Sequence, residues 1–584
     1  MLKKFFISML GTIAGLWISI LIGIVVIICI ISSLVASNMP DVKLTDKSIL
    51  YINLDGSMAE RHQPGDLLQL LQDSETDGDS FVDMLDAITL AANDGKICGL
   101  YIVGGMPEIG SASREELLEA VRKFRKSGKW VIAYGDTYVQ PAYQIASVAD
   151  AVYLNPMGAV DVHGVATMNI FFTGLLDKLG IKVHIVRVGT YKSAVEPFFA
   201  KEMSPASRLQ TQAMVDTVWS VMSDDIAVNR GVGLAEVTAW ADSIISCWPA
   251  QRTLDAGAVT ALEYRRKVED VLRGKIGIER DEDLPLVTAA EYMQTRKAVD
   301  PEKDHLAVLF AVGDIVDTGE GGIVGDVMTP EIIRLADDEH VKGLVLRVNS
   351  GGGSAFASEQ IWEALEYFKS TGKPFYVSMG DVAASGGYYI SCGADRIYAD
   401  RTTLTGSIGV FGMVPDLSGL LTGHLGLSFS TVKSNPNAVP LNIYGEMSEQ
   451  QLAALQASVD DIYDTFTRRV ADGRGIPQDS VKRIAEGRVW VGGKALEIGL
   501  VDELAGLRKA VADAASKAGV DAGDVIYYPE IEEDFMMQLL REARGSVSYA
   551  GMSVDGAALR MMRLVQYFSR MNPVQARMSP VEIR

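Results

Sequence analysis

From residue 47 onward the apolar residues fall into short blocks separated by amphipathic stretches. In the second half, "HLAVLFAVGDI" (305–315), "KGLVLRV" (342–348) and "PFYVSMG" (374–380) are nearly continuous apolar runs. Between them stand "PEIIRLADD" (330–338) and "SEQIWEALEYFKSTGK" (358–373), where apolar residues recur three to four positions apart. Short continuous runs predict strands buried on both faces, and the intervening period predicts helices, the second closed by Gly372. Strands that alternate with helices of this length predict parallel βαβ units, an α/β fold.

The pattern occurs twice. Residues 131–165 lie over 376–410 without a gap. Gly135, Asp136, Tyr143, Ala149, Asp150 and Tyr153 recur as Gly380, Asp381, Tyr388, Ala394, Asp395 and Tyr398. With one-residue slips, "CGLYIV" (98–103) answers "KGLVLR" (342–347), and "EMSPASRLQ" (202–210) answers "EMSEQQLAA" (446–454). The body is therefore a tandem duplication. Its expected division is a first repeat with its linker over 47–300 and a second repeat over 301–525. A charged, proline-bearing connection (273–304) joins them. Residues 526–584 are methionine-rich and partly helical in pattern, with no counterpart in the first copy, and are expected to be a packing or oligomer-contact tail.

Ahead of the duplication, Phe5–Ser37 contains no charged residue. About 20 apolar residues span a bilayer as a helix, whereas the apolar core of a cleaved signal is only about 7–15. Residues 1–46 are thus expected to be a retained transmembrane helix. Lys3 and Lys4 favour a cytoplasmic amino terminus, with Lys43 and Lys47 at the other end weakening that vote. A net charge of −21 argues against nucleic acid as a partner. The four cysteines, Cys29, Cys98, Cys247 and Cys392, are scattered, and no HExxH or paired-ligand spacing appears. Neither a disulfide framework nor a metal site is expected.

Two segments of the second repeat could carry chemistry. "NSGGGSA" (349–355) follows a strand, and consecutive glycines let the chain turn with bare N–H groups facing outward. Such groups can hold an oxyanion, though the same glycines also make a plain tight connection. In "GDVAASGGYY" (380–389), Ser385 would open a helix, where its ordinary role is an N-cap. The first copy sharpens the choice. Ser385 aligns with Gln140, and Ser350–Gly353 with Met106–Ile109, so the copy that kept the fold signals lost the glycine turn and the serine. Conversely, Lys192 in "GTYKSAVEPF" (189–198) stands only in the first copy, its counterpart being Asn437 or Ala438. A lone lysine is usually a surface residue. Small, aromatic and apolar neighbours could instead bury this one and lower its pKa enough to make it a general base. A serine paired with a lysine is an established alternative to serine with histidine.

The segments "RVNSGGGSA", "GDVAASGGYY", "TGSIGV" and "GTYKSAVEPF", in that duplicated frame behind one anchor, resemble the signal peptide peptidase (protease IV) family in its long two-repeat form. The resemblance covers nearly the whole chain. It implies tandem crotonase-like domains related to the Clp proteolytic subunit, a serine nucleophile in the second half and a lysine base in the first. Carried over, these are Ser385 and Lys192, with the amides of Gly386 and of the Gly352–Gly353 turn as oxyanion donors. The family carries proline where Gly351 stands here. It also implies a homotetramer, peptide substrates such as remnant signal peptides, no cofactor, and a catalytic part on the extracytoplasmic, periplasmic side of a bacterial inner membrane. Ser407 is expected to hydrogen-bond the lysine, or else to occupy a simple turn. With Gly406 it lies in "TGSIGV" (405–410), which suits an edge segment that pairs with a peptide backbone. Asp381 and Tyr388, present in both copies, read as fold residues.

Two other readings fit parts of the pattern. An acyl-CoA hydratase or isomerase on the same fold would use the glycine turn, but neither the anchor nor a serine and lysine split across copies. A non-catalytic membrane scaffold would not require the glycine turn, Ser385 and Lys192 to stand together.

Overall fold

A computed structural model of the chain describes residues 44–61, 80–319, 321–439, 443–530 and 574–578. The expected anchor, Phe5–Ser37, lies outside them. Among the described residues no helix is long and apolar enough to cross a membrane.

Each repeat is built on a largely parallel sheet, and six strands follow the same order in both. In the first, Ala261–Leu262, Ala151–Leu154, Trp130–Gly135, Ile97–Glu108, Ser48–Ser57 and Leu286–Thr288 lie side by side. In the second, Glu503–Leu504, Arg396–Ala399, Phe375–Ala384, Val341–Ser350, His305–Val312 and Val525–Tyr528 follow in the same sequence. The continuous apolar runs are indeed buried strands: Leu306–Ala311 are buried without interruption. The helix expected after them runs from Ala355 to Ser370, started by Ser354, whose side chain accepts the Ala357 amide at 3.2 Å. Its inner residues Ile361, Leu365 and Phe368 pack on Leu344 and Leu346 of the sheet. Burial of each such side chain contributes about 1.5–3 kcal/mol.

The expected boundaries shift at both repeat ends. The connection over 273–304 is not merely a linker, because Leu286–Thr288 is the outermost strand of the first sheet. Its equivalent, Val525–Tyr528, completes the second sheet, so residues 526–528 belong to the repeat and not to the tail. Both strands are too short to show a period. Further on, Val574–Arg577 forms a strand, while the helix-patterned stretches of the tail lie outside the described residues.

A third, mixed sheet joins the repeats. It runs Ile323–Val324, Ile315–Val316, Gly352–Ser354, Val574–Arg577, Phe411–Asp416 and Lys182–Arg187. Lys182–Arg187, from the first repeat, pairs antiparallel with Phe411–Asp416 of the second through six successive residue pairs, from Lys182 opposite Asp416 to Arg187 opposite Phe411. The repeats also share polar contacts. Asp381 accepts the Ala112 amide at 2.9 Å and the Ser113 amide at 3.1 Å, capping the first-repeat helix Ser111–Lys126. Arg347, fully buried, reaches Glu116 at 2.7 Å and Glu60 at 3.1 Å, both from the first repeat. In the sequence these charges sit in unrelated stretches. Folded, they form one desolvated cluster in which each charge depends on the others.

Candidate active site

Ser385 ends the strand Phe375–Ala384 and precedes the helix Gly386–Ser391. It does so at φ 56° and ψ −113°, an unfavourable region for a residue with a Cβ. Its side chain makes no capping hydrogen bond, so the ordinary N-cap role is not filled. Its amide donates to the Gly406 carbonyl at 2.8 Å, which fixes the turn and gives Gly406 its place in the site. Strain of this kind costs about 1–3 kcal/mol and persists only where surrounding structure enforces it. The equivalent position in the first copy has relaxed. Gln140 there lies within a regular helix and ties down the backbone, accepting the His163 and Gly164 amides at 2.8 and 3.0 Å.

Lys192 reaches the same point from the other repeat. The joining strand Lys182–Arg187 leads into it, and the Val188 amide extends the pairing by donating to the Val410 carbonyl at 3.0 Å. Lys192 Nζ then stands 2.7 Å from Ser385 Oγ. It also lies 3.1 Å from the Ser407 carbonyl oxygen and 3.2 Å from Ser407 Oγ. Lys192 is 1 % exposed and Ser385 0 %. Burial, with no carboxylate to offset it, pushes the ammonium well below the ordinary lysine range. In its neutral form the amine has two N–H groups to give and one lone pair to receive. Ser407 Oγ can donate its own proton to the Gly487 carbonyl at 3.3 Å. It therefore offers Lys192 only acceptors, and this leaves the amine's lone pair for the Ser385 hydroxyl.

The pocket around the lysine stem depends on residues that sequence reasoning missed. A side chain on Gly487, at φ 72°, would collide with the Lys192 backbone and Cβ, and one on Gly409 would press on Gly487 and the lysine stem. Gln210 is clamped across the repeats. Its Nε2 donates to the Tyr191 carbonyl at 3.1 Å and to Ser193 Oγ at 3.0 Å, while its Oε1 accepts the Val489 amide at 3.1 Å. Arg488 lies over the Tyr191 and Trp490 rings. Only the glycine in "EGRVW" (486–490) hinted at such closeness. The second-copy counterparts of Lys192, Asn437 and Ala438, lie exposed in a loop with no comparable pocket.

The glycine turn flanks the serine. Gly352 adopts φ 96°, and a side chain there would run into the Gly386 amide nitrogen and the Ala384 carbonyl. Gly352 and Gly386 therefore lie against one another beside Ser385, with Gly353 next along the turn. Of the two turn glycines, Gly352 already directs its amide to Ser350 Oγ at 3.1 Å, so it is not free to act as a donor, and Gly353 takes over that expectation. The glycine turn runs directly into a short strand, Gly352–Ser354.

The expectation for "TGSIGV" requires correction. Leu404–Gly406 is not an edge: it pairs with Val382–Ala384 on one side and Val489–Val491 on the other. Beyond it, the Ser407 amide donates to the Arg488 carbonyl at 2.7 Å and the Ile408 carbonyl accepts the Gly487 amide at 2.8 Å. Segments far away in sequence fill both sides, and a local motif could not reveal that.

Comparison with known proteins agrees with this architecture. Residues 123–279 and 367–521, one stretch in each repeat, match Peptidase family S49. The chain is 34% identical over 519 residues to "Protease 4" of Salmonella typhi, covering 86% of this chain and 83% of that protein. It is 35% identical over 520 residues to "Protease 4" of Haemophilus influenzae, covering 84% and 82%. It is 26% identical to "Serine protease SPPA, chloroplastic" of Arabidopsis thaliana, over 90% of this chain and 78% of that one. With a duplicated α/β body whose two halves each match the family, the chain belongs to peptidase family S49, the serine proteases.

Proposed function

We propose that this protein is a membrane-anchored serine endopeptidase with a Ser385–Lys192 dyad, and that it degrades remnant signal peptides on the extracytoplasmic side of the membrane. The observation that supports this most directly is the 2.7 Å approach of a buried lysine amine, its pKa lowered by burial, to a serine hydroxyl that makes no capping hydrogen bond. A relative from Enterococcus faecium, 37% identical over 198 residues, is described as a "Putative signal peptide peptidase SppA".

In this mechanism Lys192 takes the Ser385 proton as Oγ attacks a peptide carbonyl carbon. The Gly386 and Gly353 amides hold the negative oxygen of the tetrahedral intermediate. Collapse breaks the C–N bond, and Lys192 passes its proton to the leaving nitrogen. Water, deprotonated by Lys192, then hydrolyses the acyl-serine. Ser407 keeps the amine's lone pair aimed at the serine throughout. Each repeat is read as a crotonase-like unit, the chain as one subunit of a homotetramer, and Phe5–Ser37 as its single anchor in a bacterial inner membrane.

The test is hydrolysis of a signal-like apolar peptide by the purified protein beside Ser385→Ala and Lys192→Ala. Loss of hydrolysis in both variants is expected, and undiminished cleavage by either would overturn the dyad.

A further inference from the structure

The chain's own carboxy-terminal strand lies where a substrate would. Val574–Arg577 is inserted in the joining sheet between Gly352–Ser354 and Phe411–Asp416 and is antiparallel to both. Protease clefts commonly take an extended peptide in this way, by main-chain pairing on both sides. The register is specific. Ala576 pairs with Gly353, one of the two proposed oxyanion donors. Its carbonyl oxygen crowds the same point beside Gly352 as the amide nitrogen of Gly386, the other donor. Ala576 itself is fully buried.

The residues on the far side of that carbonyl are held as well. Arg577 pairs with Asp314 at 2.7 Å. The Met578 amide donates to the Gly351 carbonyl at 2.7 Å, and its side chain is buried with Met214, Ala384, Leu404 and Val489. Ala384 directly precedes Ser385, and Met214 comes from the first repeat. The strand is thus anchored on both sides of one carbonyl, and that carbonyl meets the oxyanion donors. A chance packing contact would not need this register.

We infer that the protein cuts its own chain between Ala576 and Arg577. The inference rests on the Ser385–Lys192 reading. Ser385 Oγ bonds to the Ala576 carbonyl carbon as its proton passes to Lys192 Nζ. The Ala576–Arg577 C–N bond breaks, and the Arg577 nitrogen leaves with the proton from Lys192. Water then hydrolyses the Ala576 ester, giving a new carboxylate at Ala576 and regenerating the serine. The same register assigns two preferences for other substrates: a small residue at the attacked carbonyl, and an apolar residue two positions after it.

The test is intact-mass analysis of the full chain over time, beside hydrolysis of an added apolar peptide by the same samples. The wild type is expected to lose everything after Ala576, with a first-order rate independent of protein concentration. Ser385→Ala should stay intact, and Ala576→Trp should stay intact while still hydrolysing the added peptide. A wild type that hydrolyses the peptide yet keeps its tail, or is cut at another bond, overturns the inference and leaves the dyad standing. Dependence of the rate on concentration overturns cleavage within one chain. A Ser385→Ala chain that still hydrolyses the peptide overturns the dyad, and a wild type inert towards both peptide and tail overturns dyad and inference together.

Discussion

Lys192 and Ser385 are 193 positions apart in the chain, and their Nζ and Oγ atoms are 2.7 Å apart in the fold. Neither has another ionisable partner. If the two act as one unit, removing either should cost as much as removing both. Ser385→Ala, Lys192→Ala and the double variant should each lose about ten-thousand-fold or more in kcat, to a similar floor. Steady-state peptide hydrolysis measures this. A double variant far below either single one would mean that the two residues work separately.

The depressed pKa of Lys192 makes a two-sided prediction. Activity should fall as the medium is acidified through the folded-state pKa, because the protonated amine cannot accept a proton. That limb should lie well below the ordinary lysine range. Stability follows from the same shift. Between the folded and unfolded pKa values the unfolded chain binds the proton that the folded one excludes, so folding is opposed and stability rises with pH. Lys192→Met, uncharged and similar in length, should therefore raise Tm at neutral pH while abolishing hydrolysis. The gain over wild type should shrink as pH approaches the ordinary lysine value. Thermal unfolding of both proteins across that range checks the sign.

In the proposed mechanism Ser407 acts through the lysine, not on the substrate. Ser407→Ala removes one of the two acceptors that orient the amine, the Oγ at 3.2 Å, and keeps the carbonyl at 3.1 Å. A partial loss in kcat of up to about a hundredfold is expected, as for a small misplacement of a reacting group, with KM little changed. An equal change in KM, or none in either parameter, would remove Ser407 from the mechanism.

Gly487→Ala tests the packing of the lysine stem. The new methyl group would meet Lys192 at a left-handed position where an L side chain is already strained. Hydrolysis should fall sharply, with the far-ultraviolet circular dichroism of the fold retained.

Arg347 carries a prediction about stability alone. Its removal leaves Glu60 and Glu116 buried together without their cation. Arg347→Met should destabilise by about 3–5 kcal/mol, read from denaturant midpoints. Replacing Arg347, Glu60 and Glu116 together by apolar residues of similar volume should restore most of the loss, since no charge is then stranded.

Much of this architecture was legible in the sequence for a physical reason: parallel strands buried on both faces leave long apolar runs, and duplication displays each run twice. Ser385 and Lys192 stood out because each copy keeps one and lacks the other. What escaped detection was made of short or distant pieces. Leu286–Thr288 has too few residues to show a period. The neighbours that close off Leu404–Gly406 come from Val382–Ala384 and Val489–Val491, which no local window joins. Gln210 and Gly487 matter through contacts across the repeats, so beyond Gly487 being a glycine nothing in their own surroundings marked them. Arg347 and Asn349, part of the glycine-turn motif, prove to serve the inter-repeat cluster: Asn349 Nδ2 donates to Glu60 at 3.1 Å, while its Oδ1 accepts the Val382 amide at 3.1 Å.

The strand Lys182–Arg187, paired with Phe411–Asp416, has a consequence for biosynthesis. Protein chains emerge and fold from the amino terminus, so on the proposed dyad the first repeat appears carrying the base and nothing for it to activate. The nucleophile arrives later, and the walls of the lysine pocket, Gly487 to Val489, later still. On that reading a nascent or truncated chain is a harmless one. Proteolytic power is withheld until both halves are made and zipped together, an interlock that requires no separate inhibitor during synthesis.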